Sequence, residues 1–210
     1  ARLKVAAAGP HFGEEDPLVG KGGSGTIFFS NCNLLCCFCQ NWEISQVSQR
    51  DMPEKPTHSV DDIVSLATNR SDNVGVAYTY NEPVIYYEFM KDVAREIQNR
   101  GMKNVMVTNG FINPSPLEEL IPLMDAFSID LKGFTDEFYR KHTRSSLEPI
   151  KDAILQIGKS NAFVEITNLV IPSLNDQIGY FEEMLQWISE NLGRKTVLHI
   201  SRYYPGYKST

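Results

Sequence analysis

Short β-branched or aromatic runs alternate along the chain with longer amphipathic segments, and this alternation restricts the fold more than any other feature. Six runs are predicted as strands: 26–30, 74–78, 104–108, 126–130, 163–169 and 196–201. Strands that alternate with helices form parallel sheets through right-handed crossovers. Six such units are too few to close an eight-fold barrel of roughly 250 residues. The predicted fold is therefore α/β, an open, partial (β/α)6 barrel of parallel strands that is TIM-barrel-like.

Capping residues indicate where two of the helices begin. Ser59 followed by Asp62 is typical of a capping box. Ser115, Pro116 and Glu118 supply an N-cap, a first-turn proline and a capping glutamate for a later helix. Apolar residues at helical spacing predict further helices over 85–101, 150–157 and 181–192.

The first 24 residues are rich in proline and glycine and are predicted as an extended, turn-rich approach segment. The run at 20–25 (GKGGSG) is similar to a phosphate loop, but an apolar stretch follows it where that loop needs a helix. Residues 14–16 are acidic and could bind a metal ion together with His11. A solvated acidic loop is the interpretation that the sequence favours.

The composition is that of a globular protein without a general nucleic-acid or membrane partner. Apolar residues make up 42% of the chain, and the net charge is −6. No apolar run approaches the roughly 20 residues of a membrane span, and no signal peptide is visible. A chain of 210 residues fits a single domain over 1–210.

All four cysteines lie within residues 32–39, in the sequence CNLLCCFC. Cys32, Cys36 and Cys39 are separated by three and then two residues, and thiolates so placed can close around iron while leaving one corner of a cubane uncovered. A zinc site is the alternative, with Cys37 or a distant histidine as its fourth ligand. Cysteines packed this densely do not form a disulfide framework, so a cytoplasmic location is expected.

Polar residues follow the predicted strands at the points where they end. Because the carboxyl ends of parallel strands meet at one edge, these side chains are expected to gather at a common site. They include Gln40, Asn41, Thr79, Tyr80, Asn81, Glu82, Thr108, Asn109, Asp130, Lys132, Ser201 and Tyr204, with Glu165, Thr167 and Asn168 inside the fifth run.

The cysteine spacing, with Phe38 before the third cysteine, resembles the radical S-adenosylmethionine (radical SAM) superfamily. More narrowly, the chain is similar to the pyruvate formate-lyase activating enzyme-like branch, including the radical SAM proteins of the AmmeMemoRadiSam system. The stretches that carry the resemblance are 25–46, 77–87, TNGF at 108–111, DLK at 130–132 and HISRYYPGYK at 199–208.

The resemblance implies an oxidoreductase of the glycyl-radical-enzyme activating type. Cys32, Cys36 and Cys39 would hold a [4Fe–4S] cluster, and the open iron would bind the amino and carboxylate groups of S-adenosylmethionine. Electron transfer to the sulfonium would release methionine and a 5′-deoxyadenosyl radical that abstracts a hydrogen atom. No catalytic residue is implied beyond the cluster and the S-adenosylmethionine site.

The same resemblance implies which side chains contact S-adenosylmethionine. Phe38 and Gln40 would border the adenine. Glu82 would accept hydrogen bonds from the ammonium group of the zwitterionic end, and Lys132 would pair with its carboxylate. The nine implied contacts are Phe38, Gln40, Tyr80, Asn81, Glu82, Thr108, Asp130, Lys132 and Thr167.

Three positions depart from the family pattern. Tyr80 and Asn81 stand where the family usually has two glycines, which allow close backbone approach. Tyr204 stands where activases often carry a histidine, so the adenosine contact there is left open. Val107 replaces an aspartate that helps to bind a monovalent cation in the pyruvate formate-lyase activator, so no such site is carried over.

The implied partners are a protein substrate of the glycyl-radical type and an electron donor such as flavodoxin or ferredoxin. A small-molecule substrate is the first alternative. A barrel glycosidase with Glu82 as acid and Glu165 as nucleophile is a remote one, and a non-enzymatic iron–sulfur or zinc module is another. Relatives extend beyond both ends, so the sequence leaves open that the native chain is longer.

Overall fold

The computed structural model describes residues 2–4, 7–11, 24–46, 57–205 and 207–208. Nine strands lie within these ranges. They are β1 (Arg2–Lys4), β2 (Ala7–His11), β3 (Ser24–Phe28), β4 (Thr57–Ser59), β5 (Gly75–Thr79), β6 (Lys103–Thr108), β7 (Ala126–Asp130), β8 (Phe163–Val170) and β9 (Val197–Arg202).

Seven strands form one sheet in the order β2-β3-β5-β6-β7-β8-β9. β3 and β5 to β9 are parallel to one another, and β2 pairs antiparallel with β3 at one edge. β9 lies at the other edge, so the sheet does not close. The predicted partial barrel of six parallel strands is confirmed, and β1 and β4 form a separate antiparallel pair.

Helices connect the parallel strands. They are α1 (Trp42–Ser45), α2 (Val60–Thr68), α3 (Tyr87–Asn99), α4 (Pro114–Leu120), α5 (Asp136–Phe138), α6 (Glu148–Gly158) and α7 (Ile178–Asn191). A π-helical turn, Tyr139–Thr143, continues α5, and 3-10 turns cover Pro83–Tyr86 and Ile121–Leu123.

The structure confirms one predicted helix start and corrects the other. The Ser59 hydroxyl accepts a hydrogen bond from the Asp62 amide at 3.1 Å, and the Asp62 carboxylate accepts one from the Ser59 amide at 2.7 Å. The α4 helix begins earlier than predicted, with Asn113 rather than Ser115 at its N-cap. Pro114 already supplies the fixed φ that suits a first helical residue.

The core lies between the sheet and the helices that cover it. Tyr78 and Phe127 from the strands and Met90 from α3 have no exposed side-chain surface. Asn104 is also fully buried, and it donates to the carbonyls of Ala94 and Leu123 at 2.8 and 2.9 Å. This amide therefore ties β6 to α3 and to the turn before β7 without leaving a buried polar group unpaired.

The N-terminal predictions are only partly covered by the described residues. Arg2–Lys4 and Ala7–His11 are strands, and the approach segment over residues 1–24 as a whole stays a prediction. Residues 14–16, considered as metal ligands, and most of the glycine-rich run at 20–25 lie outside the described residues. Ser24–Phe28 is a strand, not the helix that a phosphate loop requires. No helix in the described part of the chain has the length and apolar character to cross a membrane.

Gly75 allows β5 to approach β6, since a Cβ atom at this position would lie 1.9 Å from the Lys103 carbonyl oxygen. We expect G75A to lower the free energy of unfolding by about 1–3 kcal/mol or more, because the strands must separate. Urea denaturation measures the change. The control is G179A in α7, where a Cβ meets no atom within 4 Å and alanine should be stabilising by roughly 0.5–1 kcal/mol. Wild-type stability in G75A would contradict the β5–β6 register.

Candidate functional site

A cavity with an empty volume of about 1110 Å³, partly open to solvent, lies at the carboxyl ends of the parallel strands. It is lined by all but one of the residues that the sequence analysis assigned to the cluster or to S-adenosylmethionine. These are Cys32, Cys36, Phe38, Cys39, Gln40, Tyr80, Asn81, Thr108, Asp130, Lys132 and Thr167. The exception is Glu82.

The cysteine loop follows β3 and is fixed by backbone hydrogen bonds to distant segments. The Asn31 amide donates to the Ile44 carbonyl at 2.8 Å, which joins the loop to α1. The Leu35 and Cys37 amides donate at 2.9 Å to the carbonyls of Thr143 and His142 in the π-helical turn. The loop is thus attached on two sides, and the thiols of Cys32, Cys36 and Cys39 are free rather than disulfide-bonded.

Cys37 is set apart from the other three cysteines. It does not line the cavity, and its Sγ lies 3.7 Å from Nδ1 of His142. Among the described residues, no three histidine, cysteine, aspartate or glutamate side chains are grouped as they would be around a single metal ion. A cubane places each thiolate on a separate iron, so three separated thiols on one cavity wall fit it.

Burial controls the protonation of the cavity thiols. It raises the pKa of Cys32 to about 11, with a further contribution from the Glu82 carboxylate, and the pKa of Cys36 to about 12. Both thiols are therefore protonated at neutral pH in the free protein. Because thiolates rather than thiols bind metals, cluster insertion must release these protons.

An ion pair on the cavity wall follows the end of β7. Lys132 Nζ is 3.0 Å from the Asp130 carboxylate, and the Lys132 amide donates to the Tyr139 hydroxyl at 3.0 Å. Burial lowers the pKa of Lys132, but the neighbouring Asp130 carboxylate outweighs burial and raises the pKa overall. Thr167 is the register partner of Asp130 on β8. A cation, a carboxylate and a hydroxyl thus face the same space.

Tyr80 and Asn81 adopt the backbone conformation that the family's glycines would suit. Their φ angles are 58° and 59°, in the left-handed region that non-glycine residues rarely occupy. The Asn81 amide donates to the Phe29 carbonyl at 2.5 Å, which holds the turn against β3. Its Oδ1 is buried and has no hydrogen-bond partner among the described residues. The Asn81 residue lines the cavity, but this oxygen does not reach the cavity surface.

Glu82 lies behind the cavity and not at its surface. Its carboxylate is fully buried and accepts hydrogen bonds from the Thr108 hydroxyl and the Asn109 amide, both at 2.8 Å, and from the Val84 amide at 3.1 Å. Burial raises its pKa to about 7 against the opposing effect of these bonds. Glu82 thus braces the end of β6, and its implied contact with the S-adenosylmethionine amino group stays a prediction.

Two further candidates from the sequence lie away from the cavity wall. Glu165 is buried, and an oxygen of its carboxylate is 3.2 Å from Nε2 of His199. Tyr204 is 62% exposed beneath the Arg202 guanidinium, while Ser201 lines the cavity instead. With Glu82 also buried behind the wall, the arrangement gives no support to a glycosidase with Glu82 as acid and Glu165 as nucleophile.

Two groups outside the implied cluster ligands and S-adenosylmethionine contacts touch the cavity cysteines, and only Asn109 is among the strand-end residues expected at the site from the sequence. Ser45 Oγ is 3.1 Å from Cys39 Sγ, and Asn109 Nδ2 is 3.6 Å from Cys32 Sγ. Ser45 lies within the stretch at 25–46 that carried the family resemblance, but no spacing rule connects a serine six residues later to a cysteine.

Comparison with known families agrees with this geometry. Residues 26–188 match the model of the Radical SAM superfamily, which is more than half of the chain. The protein belongs to the radical SAM superfamily. Membership implies S-adenosylmethionine and an iron–sulfur cluster as cofactors. The three free thiols suit an iron–sulfur cluster, and the Asp130–Lys132 pair beside them suits a zwitterionic ligand.

Curated relatives point to a branch within that superfamily. The chain is 40% identical over 185 residues to the uncharacterized protein MJ0808 of Methanocaldococcus jannaschii, covering 88% of this chain and 54% of that protein. It is 25% identical over 165 residues to the pyruvate formate-lyase 1-activating enzyme of Escherichia coli strain K12, covering 75% and 65%. The chain therefore spans between about half and two thirds of these relatives, and it resembles the pyruvate formate-lyase activating enzymes.

A solved structure confirms the fold at low sequence identity. Streptococcus suis SuiB bound to S-adenosylmethionine superposes with a TM-score of 0.67 at 14% identity, covering 86% of this chain and 40% of that one. At this identity the likeness concerns the partial barrel alone.

Replacing Glu82 by glutamine removes a carboxyl group whose pKa the fold raises from 4.5 to about 7. Below about pH 4.5 the carboxyl group is protonated in both the folded and the unfolded state, so its raised pKa does not change the free energy of unfolding. Between about pH 4.5 and pH 7 the unfolded state releases the proton first, and the free energy of unfolding falls as the pH rises. We expect the free energy of unfolding of the wild type to fall by about 3 kcal/mol relative to E82Q across this range. Urea titrations of the metal-free protein measure it.

The control for E82Q is E118Q, since Glu118 is an exposed glutamate outside the cavity. It corrects for the loss of one carboxylate from the chain. A difference between wild type and E82Q that stays constant from pH 4.5 to 8 would contradict the burial of Glu82 as a titrating group.

Proposed function

We propose that this protein reductively cleaves S-adenosylmethionine at a [4Fe–4S] cluster held by Cys32, Cys36 and Cys39, and that it activates a protein partner by hydrogen-atom abstraction. One observation carries the proposal. Three of the four cysteines line a single cavity with the Asp130–Lys132 pair, while the fourth contacts His142 elsewhere. Three thiolates leave one iron of a cubane available to a further ligand.

The charges of the cavity suit the zwitterionic end of S-adenosylmethionine. We infer that its ammonium group lies beside Tyr80 and Asn81, which line the cavity wall after β5. Lys132 offers a cation to its carboxylate, and the Thr167 hydroxyl on β8 supports the same group. Asp130 holds the lysine in place and presents acceptors to the ribose.

Other predicted contacts shape the rest of the site. Phe38 is buried beside Phe138 at a ring distance of 5.9 Å and, with Gln40, borders the proposed adenine position. Tyr80 and Thr108 complete the wall beside Asn81. A reduced cluster held by Cys32, Cys36 and Cys39 would supply the electron that splits the sulfonium into methionine and a 5′-deoxyadenosyl radical. The protein's part is to hold the sulfonium near the open iron and to limit water around it.

The nature of the partner rests on the relatives. The pyruvate formate-lyase 1-activating enzyme and the (2S)-3-sulfopropanediol dehydratase activating enzyme of Klebsiella oxytoca are both named as activators of other enzymes. We infer a protein substrate of the glycyl-radical type by analogy with them. An electron donor such as flavodoxin or ferredoxin, and a cytoplasmic location, complete the proposal.

Electron paramagnetic resonance of the anaerobically reconstituted, reduced protein tests the central step. We expect a [4Fe–4S]⁺ signal that changes when S-adenosylmethionine is added, together with release of 5′-deoxyadenosine. A signal that S-adenosylmethionine leaves unchanged would refute the proposal. Deuterium transfer from a labelled partner into 5′-deoxyadenosine distinguishes a protein substrate from a small molecule.

Cys36 and Cys37 are neighbours with different expected roles, so they form a matched pair. C36A should lose the brown colour and most of the about four iron ions of a complete cluster, because Cys36 lines the cavity. C37A should keep both, because its sulfur contacts His142. Iron analysis and visible absorption measure the difference. Equal iron loss in the two variants would contradict the ligand assignment.

Lys132 is expected to contribute to affinity rather than to folding. K132M should weaken S-adenosylmethionine binding about 10- to 100-fold, the usual value of a charge-assisted hydrogen bond. Isothermal titration calorimetry of the cluster-loaded protein measures it. K103M serves as control. Lys103 is the first residue of β6, at the end of the strand away from the cavity, and it forms an exposed ion pair with Asp125. An unchanged dissociation constant in K132M would exclude the proposed carboxylate contact.

A further inference from the structure

Two of the three cavity cysteines face a buried side chain that can donate a hydrogen bond to sulfur. We propose that Ser45 and Asn109 donate hydrogen bonds to the thiolates of Cys39 and Cys32 and thereby raise the reduction potential of the cluster. This inference rests on the proposed function, because it concerns the same cluster. It assigns a task to two residues that binding of S-adenosylmethionine does not require.

The hydrogen-bond direction at Ser45 follows from its other partner. Ser45 is 3% exposed, and its Oγ is 3.1 Å from Cys39 Sγ. Gln46 Nε2 donates to the same Oγ at 3.2 Å, so the serine oxygen is already an acceptor and its proton is available. A metal-bound thiolate carries no proton, so only the Ser45 hydroxyl can donate between these two atoms.

The amide orientation of Asn109 is fixed in the same way. Its Oδ1 accepts a hydrogen bond from the Phe111 amide at 2.8 Å, which turns Nδ2 toward Cys32 Sγ at 3.6 Å. Nδ2 also donates to Asn33 Oδ1 at 2.8 Å. The Glu82 carboxylate holds the Asn109 backbone amide, so Glu82 positions this donor from behind.

The backbone adds a third donor, since the Leu34 amide lies 3.4 Å from Cys32 Sγ. Donors near cluster sulfurs stabilise the reduced state more than the oxidised state, because the reduced cluster carries one more negative charge. Removal of a donor should therefore make the cluster harder to reduce. Ser45 is the better test, because Asn109 also shapes the turn after β6.

A redox titration of the anaerobically reconstituted full chain, followed by electron paramagnetic resonance, tests the inference. At the wild-type midpoint potential, we expect the ratio of reduced to oxidised cluster in S45A to fall about tenfold, which corresponds to 59 mV for a one-electron couple. S45T keeps a hydroxyl and should stay near the wild-type value. S128A, a buried serine-to-alanine change on β7 outside the cavity wall, is the matched control and should not shift the potential.

A wild-type potential in S45A with full iron content overturns the inference, as does an equal shift in S128A. If S45A binds no iron, the wild-type protein decides. Electron–nuclear double resonance in H₂O and D₂O should detect strongly coupled exchangeable protons beyond the one that the Leu34 amide supplies, and finding no more than that one overturns the inference. Different results would refute the proposed function itself. These are a wild-type protein that forms no cluster, or a cluster whose signal does not change when S-adenosylmethionine is added.

Discussion

The attachment of the cysteine loop to segments distant in sequence is the constraint on which the rest of the site depends. The loop leaves β3 and is held on one side by α1 and on the other by the π-helical turn at Tyr139–Thr143. None of these backbone bonds involves a sulfur atom, so the attachment of the loop does not depend on what its thiols bind. The loop can therefore hold three cysteines toward one cavity while the fourth, Cys37, contacts His142. The metal-free protein therefore already holds the three proposed cluster ligands apart from Cys37.

Glu82 shows how the sheet supports the site from behind. A fully buried carboxylate is costly unless it is hydrogen-bonded, and here three donors satisfy it, two of them at the end of β6. The same contacts fix Thr108 at the cavity wall and Asn109 beside Cys32. The segment after β5 is thus coupled to the segment after β6 and, through Asn109, to the cysteine loop. The three loops are therefore joined in one hydrogen-bonded network.

The sequence predicts the layout of the fold because local patterns encode it. Apolar runs and helical spacing identify all six parallel strands, and their carboxyl ends bring eleven of the twelve predicted site residues to one cavity. Two kinds of detail escape such patterns. The start of α4 at Pro114 depends on which of two prolines takes the first helical position. The burial of Glu82 and the contact of Ser45 with Cys39 depend on tertiary packing, which no residue spacing records.

The left-handed backbone at Tyr80 and Asn81 has a consequence for how such proteins are recognised. Where the family pattern has two glycines, this chain places Tyr80 and Asn81 at positive φ and anchors the turn through the Asn81 side-chain amide on the Phe29 carbonyl. A search that demands glycine before the glutamate would overlook chains of this kind. A search for two successive residues with positive φ before the glutamate would find them.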